Sequence, residues 1–278
     1  MDPLPLVVCG TAVALYALGR RGRIRLWREV SFYSGVVLTF VVLERPFDGW
    51  ADTWLSAHMA QHIVLMTVVP PLVVYGRPWP RMWLPFPLAA RRAVGGALSH
   101  SPSFRRGAGF LKRPPVALVV QSAAVGVWHV PQLYDAAARN EWIHVLEHVS
   151  FVAPALVFWG ALLDAPPVRA RIDYLHRSIW FAAAMVPGWI LAIVLAFAAA
   201  PLYTAYPSLT DQQLAAGIMW VPGSLTYFVA AFVAFYRWLD SPGAAEGGAV
   251  HRPGVGGFAA VASSHAEPHS RPEELSWT

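Results

Sequence analysis

Residues 178–200 read SIWFAAAMVPGWILAIVLAFAAA, a stretch without a single charged side chain. A helix that crosses the hydrocarbon core of a bilayer needs about 20 consecutive, mostly apolar residues, and this stretch is long enough. An apolar run of this length is typical of a membrane span and not of a soluble core helix. We therefore predict an integral membrane protein.

The composition of the whole chain agrees with a membrane protein. Of the 278 residues, 56% are hydrophobic and only 13% are charged, about half of the ~25% usual in soluble domains. Cys9 is the only cysteine, which excludes intramolecular disulfides, a CxxC redox motif and a thiolate zinc cluster. Lys112 is the only lysine and lies in a basic loop, which excludes a Schiff-base lysine inside the membrane.

Six further apolar runs bring the predicted number of spans to seven. The predicted spans are residues 3–18, 27–43, 54–75, 114–130, 142–163, 178–200 and 212–238. The fold class is therefore all-α, a polytopic bundle of seven transmembrane helices in residues 1–239. Residues 240–278 are rich in Gly, Ala, Pro and Ser without an apolar period, and we expect a disordered cytoplasmic tail there.

The distribution of arginine and lysine predicts the orientation. Nineteen of the 21 basic residues lie on one side of the predicted spans, and only Arg45 and Arg139 lie on the other. Because loops rich in Lys and Arg stay in the cytoplasm, the N-terminus is expected outside and the C-terminus inside. Clustering of this kind reflects membrane topology, so we expect the lipid bilayer and not nucleic acid as a partner.

Histidines inside the predicted spans follow a paired pattern. His58 and His62 lie in span three, and His144 and His148 lie in span five. A spacing of four residues places both imidazoles of a pair on one face of a helix. His129 lies at the outer end of span four, so that all five histidines are predicted near the outer face of the membrane. Ionisable groups at such depths are costly and usually functional.

These side chains favour a copper site. Imidazole binds copper, zinc and iron, while thioethers favour Cu(I), and Met59 and Met66 lie close to the first histidine pair in sequence. The alternative for the histidines is interhelical hydrogen bonding, and the alternative for the methionines is apolar filling. The predicted metal ligands are His58, His62, His129, His144, His148, Met59 and Met66. We expect Cu(I) as the cofactor and no catalytic residues.

Three carboxylates are expected to support the metal ligands. Glu147 lies between the histidines of span five, where it can orient an imidazole, bind metal or take up released protons. Asp135 precedes the same span. Asp211 opens span seven and is interpreted as its N-cap.

Several separated motifs resemble one family, the polytopic cytochrome c oxidase assembly factors called CtaG. The matching stretches are HMAQH at 58–62, PPL at 70–72, GRP at 76–78, WHVP at 128–131, LYD at 133–135, HVLEH at 144–148, DQQ at 211–213 and MWVPG at 219–223. The resemblance implies a metallochaperone of the bacterial plasma membrane, not an enzyme, that delivers copper to the catalytic subunit of a haem–copper oxidase. Whether it acts as a homodimer stays open.

Three other functions remain as alternatives. Histidines on two helices can hold haem between them. A membrane di-iron hydroxylase would use HxxxH boxes, and Glu141 and His144 have an ExxH spacing, although the HxxHH box of such enzymes is absent from the sequence. A copper transporter would need polar groups in the inner half of the spans, where the sequence has few.

Overall fold

The computed structural model describes residues 3–20, 25–166 and 172–241, and its regular elements in these ranges are helices. In chain order they are α1 (Pro3–Leu18), α2 (Leu26–Leu43), α3 (Phe47–Ala51), α4 (Leu55–Ile63), a π-helical turn (Val64–Val68), α5 (Val69–Tyr75), α6 (Pro78–Met82), α7 (Leu88–His100), α8 (Pro102–Leu111), α9 (Pro114–Trp128), α10 (Pro131–Arg139), α11 (Glu141–Leu162), α12 (Tyr174–Phe197) and α13 (Leu209–Leu239). The predicted tail lies outside the described residues from residue 242 onward.

The predicted multi-pass helical architecture is confirmed in its main features. By length and composition, five helical segments can cross a membrane, namely α2, the continuous stretch Leu55–Tyr75, α11, α12 and α13. Helices α9 and α10 count as a sixth only if they form one broken span, because they are bent by 77°. Helix α1 has 16 residues, fewer than the ~20 that a span needs. Seven spans and the orientation of the termini stay predictions.

The span that carries His58 and His62 is interrupted by the π-helical turn Val64–Val68. Pro70 and Pro71 follow this turn at the start of α5. Since proline has no N–H, these two residues cannot donate to carbonyls one turn earlier, and regular α-helical hydrogen bonding is lost there. Single π turns of this kind are frequent at functional sites.

Close contact between α2 and the helix α5 depends on glycine. A Cβ atom on Gly76 would lie 2.6 Å from the Cβ of Phe32 and 3.1 Å from the carbonyl oxygen of Arg28. On Gly35 it would lie 2.9 Å from a methyl group of Val73. Small residues permit such backbone approach in membrane bundles, where van der Waals packing replaces the hydrophobic effect as the main driving force. Helix α2 is therefore held against the span that carries two of the histidines.

A second packed region lies at the other end of the bundle from the paired histidines. The ring of Trp159 stacks on Tyr227 with centroids 5.4 Å apart, and Phe181 packs beside Trp159 at 5.0 Å. The side-chain amide of Gln121 donates a hydrogen bond of 2.8 Å to the Tyr227 hydroxyl. Helices α9, α11, α12 and α13 meet in this region, which we call the inner core and define by Gln121, Trp159, Phe181 and Tyr227.

Candidate metal centre

Two pairs of imidazoles from α4 and α11 converge into one buried group. His58, His62, His144 and His148 each offer a ligand atom, and these four atoms all lie within 4.8 Å of one another. The Nε2 atoms of His58 and His62 are 2.9 Å apart, close to the ~3.3 Å that two imidazoles would span on a tetrahedral metal at about 2.0 Å each. The predicted convergence of the two HxxxH pairs is therefore present in the structure.

Both histidine-bearing helices begin at well-defined N-termini. The side-chain oxygen of Asn140 accepts hydrogen bonds from the backbone N–H groups of Trp142 and Ile143, which caps α11 one turn before His144. The carboxylate of Asp211 does the same for α4, since it accepts from the N–H of Leu55 at 2.6 Å. Fixed helix starts determine which turns face each other, and so they set the register of the two pairs.

The histidine group contains buried polar atoms that lack partners in the described ranges. They are Nδ1 of His62, Nε2 of His144, Nε2 of His148 and both carboxylate oxygens of Glu147. Leaving one buried polar atom unpaired costs about 1–3 kcal/mol. A bound cation would satisfy several of them at once, because neutral imidazoles and a carboxylate all present lone pairs. The donor set thus fits a metal ion better than it fits a hydrogen-bonded core.

Tyr206 determines the tautomer of His58. Its hydroxyl donates its single proton to the carbonyl of Ala51 at 2.8 Å and lies 3.0 Å from Nδ1 of His58. Burial raises the pKa of this hydroxyl above its ordinary value, so it stays protonated. Nδ1 of His58 must therefore be the donor to Tyr206, which leaves the lone pair on Nε2, where it faces Nε2 of His62 at 2.9 Å and accepts its proton in the metal-free structure.

Tyr206 was missed by reasoning from the sequence, and Tyr134 appeared there as part of the LYD stretch but not as a site residue. The Tyr134 ring is 1% exposed and packs 5.4 Å from the ring of His58, while it stacks on Tyr203 at 4.0 Å. Both hydroxyls come from segments outside the paired motifs. A tyrosine in an apolar chain has no local pattern that separates a metal-site neighbour from ordinary core, so only the tertiary contacts identify these two.

His129 lies next to the four-histidine group without being part of it. It follows the last residue of α9, and its Nδ1 donates to the carbonyl of Val125 at 2.7 Å. Its Nε2 is buried and has no partner in the described structure. The Tyr134 ring packs against both His129, at 5.7 Å, and His58. Its role as a ligand stays a prediction.

The two methionines occupy different positions. Met59 is 1% exposed and belongs to a packed apolar cluster with Leu55, Tyr134 and Met219. Met66 follows His62 by four residues, a spacing that predicts the same face of an α-helix, but it lies in the π-helical turn. An α-helical spacing does not hold across that turn, because its hydrogen bonds join residues five apart. Ligation by either thioether stays a prediction.

The three carboxylates have distinct positions. Glu147 is completely buried, and its Oε2 lies 4.0 Å from Nε2 of His58. Asp135 accepts hydrogen bonds from the Thr204 N–H and hydroxyl and from the Ala205 N–H, which holds the connection between α12 and α13. Because Tyr206 belongs to this connection, Asp135 acts on the histidines indirectly.

The interpretation of Asp211 as the N-cap of α13 is wrong. Ser208 is that N-cap, because its hydroxyl accepts from the N–H of Asp211. The Asp211 carboxylate instead caps α4, where it accepts from Leu55 and from both the N–H and hydroxyl of Ser56. Residues about 155 positions apart are joined in this way, which no local sequence pattern reveals.

A cavity of about 900 Å³ reaches the histidine group from one side. We call it the histidine cavity; it is lined by α1, the C-terminal end of α2, α3, the end of α10 and the first half of α11. His144 and His148 are half-buried and line it, whereas His58 and His62 are fully buried behind them. An ion can therefore approach the group through the α11 pair.

The family model described as cytochrome c oxidase caa3 assembly factor matches residues 12–241. An uncharacterized protein of Mycobacterium bovis and one of Mycobacterium tuberculosis are each 23% identical over 252 residues, which is 84% of this chain and 37% of theirs. An uncharacterized protein of Mycobacterium leprae is 22% identical over 229 residues, 76% of this chain and 34% of its own.

The chain thus spans little more than a third of the length of these mycobacterial relatives. No solved structure matches it. The family match covers most of the chain, including both histidine pairs, the bent segment α9–α10 and the start of α13. The chain therefore belongs to the cytochrome c oxidase caa3 assembly factor family, CtaG.

Proposed function

We propose that the protein is a copper-binding assembly factor, not an enzyme, that delivers copper to the catalytic subunit of a haem–copper cytochrome c oxidase. The observation that carries the proposal is the group His58, His62, His144 and His148, with ligand atoms within 4.8 Å of one another. It occurs in a chain of an oxidase assembly family. Copper is the cargo here, and the protein contributes the ligands that hold and release it.

The chemistry of the donors supports copper, with Cu(I) favoured. Imidazole suits copper well, and the site has no thiolate that would select zinc or an iron–sulfur cluster. We propose Met59, Met66 and His129 as further ligands, which bind the copper ion for part of the time while it is taken up or transferred. Glu147 can take up the proton that a protonated imidazole releases when it binds metal.

Tight packing of the rings favours a single ion over haem. The centroids of neighbouring rings are 4.2 Å apart in both the His58–His62 and the His144–His148 pair. Those of His58 and His144 are 5.1 Å apart. A porphyrin held axially by one histidine of each pair would have to lie between rings that already touch. A carboxylate-bridged di-iron centre is disfavoured because the ferritin-like form uses several glutamates, whereas the described group consists of four histidines, with Glu147 4.0 Å from His58.

The arrangement also suits transfer. A carrier must hold its ion and still exchange ligands with the acceptor. The α11 pair faces the histidine cavity while the α4 pair lies behind it, so an incoming ligand can replace His144 or His148 first. We propose that this end faces outward in the bacterial plasma membrane, with the N-terminus outside and seven spans in total.

Copper analysis of the purified protein tests the binding part of the proposal. His62→Ala and His148→Ala should each lose most of the bound copper while the helical content stays unchanged. His176→Ala is the matched control, because that histidine is exposed at the start of α12 and bonds to Asp173, away from the histidine group. Unchanged copper content in both site variants would contradict the proposal.

A deletion strain tests delivery. In copper-limited medium, the oxidase polypeptides should accumulate but lack their catalytic copper, and respiration through that enzyme should fall. Added copper should restore part of the activity, because mass action fills the site slowly without a carrier. Full copper occupancy of the oxidase in the deletion strain would refute the delivery role even if the protein binds copper.

A further inference from the structure

The histidine cavity has an acidic rim at the end that leads to the histidines. Among the described residues that line it, four carry a carboxylate and two are arginines. The lining carboxylates are Glu44, Asp48, Asp52 and Glu141, and the arginines are Arg45 and Arg139. Below this rim the walls are apolar side chains of α1 and α11. A cleft with low-dielectric walls and an excess of one charge concentrates counter-ions of the opposite sign.

Glu44 stands out from the other acids because it is buried. It follows the last residue of α2, is 6% exposed, and its Oε1 has no hydrogen-bond partner among the residues that the structure describes. A carboxylate oxygen that is removed from water and left without a donor is costly unless a cation or a donor reaches it. Such a group, on the wall of the cavity that also holds His144 and His148, indicates a place where a cation passes or rests.

The rim is linked to the histidine helix. Gln61, between the two histidines of α4, donates from its side-chain amide to the carbonyl of Val42 at 2.7 Å and to Asp48 at 3.3 Å. The end of α2, the acidic helix α3 and the histidine pair of α4 are therefore held in one arrangement. Cations drawn to the rim arrive beside the ligands and not at an unrelated surface.

We infer that the histidine cavity is the entry path for the metal cation and that Glu44 is the first buried group that binds the cation on its way to His144 and His148. The inference rests on the proposed function, since it assigns a route to the ion that the histidines are proposed to hold. It predicts that Glu44 controls the rate of loading, whereas the histidines control how much metal is held.

The test measures loading of Cu(I), supplied from a weak competing chelator under reducing conditions, into the full chain in lipid nanodiscs. Glu44→Gln keeps the shape of the side chain and removes its charge. We expect the loading rate to fall about tenfold, the low end of electrostatic steering effects, with an unchanged final copper content. Raised salt should slow the wild type more than the variant.

Two further variants keep the test decisive. Asp164→Asn is the matched control, because this carboxylate also has an unpartnered Oδ1 but lines a separate cavity at the other end of the bundle; its loading rate should equal that of the wild type. Val8→Trp narrows the histidine cavity from α1 without touching a charge or a histidine, and it should also slow loading.

The outcomes separate the two proposals. If Glu44→Gln and Val8→Trp both load within twofold of the wild-type rate, the entry path is refuted while the copper site stands. If the wild type takes up no copper, both the site and its entry path are refuted. Slower loading in both variants, with normal loading in Asp164→Asn, supports the entry path.

Discussion

Replacing Tyr206 by Phe should weaken copper binding without removing any ligand. The Tyr206 hydroxyl holds Nδ1 of His58 at 3.0 Å and the carbonyl of Ala51 at 2.8 Å. His58 is only 2% exposed, so water cannot easily take the place of the lost hydroxyl. When this hydroxyl is removed, Nδ1 loses one acceptor, and the ring can more easily move its proton to Nε2, where it blocks the lone pair that faces His62.

The magnitude follows from the role of the hydroxyl as the partner of a ligand's second nitrogen. Loss of such a partner typically costs about 10- to 100-fold in metal affinity, which corresponds to about 1.4–2.8 kcal/mol. Loss of the two hydrogen bonds of the Tyr206 hydroxyl should also lower the stability of the metal-free protein, by about 0.5–1.5 kcal/mol for each bond.

The assay is competition for Cu(I) against chelators of graded affinity, with purified protein in detergent. Tyr227→Phe is the matched control, because it removes a buried tyrosine hydroxyl that bonds to Gln121 in the inner core. We expect weaker binding in Tyr206→Phe and wild-type affinity in Tyr227→Phe. An affinity within twofold of wild type in Tyr206→Phe would refute the reasoning about the tautomer.

Three further predictions concern the fold. Asp211→Ala leaves the N-terminus of α4 without its cap and should lower stability by about 2 kcal/mol or more, measured by thermal unfolding and by loss of copper binding. Gly76→Ala places a Cβ atom 2.6 Å from Phe32 and should lower the free energy of unfolding by about 1–3 kcal/mol. Gly95→Ala is the control, because its Cβ atom would have nothing within 4 Å and should be neutral or stabilising. Equal melting temperatures for the two variants would contradict the packing argument. A phosphatase fused after Asp240 should be inactive, since that end is predicted in the cytoplasm, and an active fusion would reverse the topology.

The apolar runs were sufficient to predict the helical membrane architecture, because in a bilayer every backbone polar group must be satisfied within its own helix. The two HxxxH pairs could also be recognised from the local sequence, since a spacing of four residues puts side chains on one face of a helix regardless of the rest of the chain. The same rule assumes a regular α-helix. It does not apply to Met66, because this residue lies in the π-helical turn that precedes Pro70 and Pro71.

Contacts between distant segments decided the rest. That the α4 and α11 pairs face each other depends on packing between helices about 85 residues apart along the chain, which no spacing within either helix specifies. Tyr206 reaches His58 from the connection between α12 and α13, and Asp211 caps a helix far earlier in the sequence. Hydrogen bonds of this kind have no local period, so the sequence determined which residues carry the chemistry, and the tertiary structure determined how they are joined into one site.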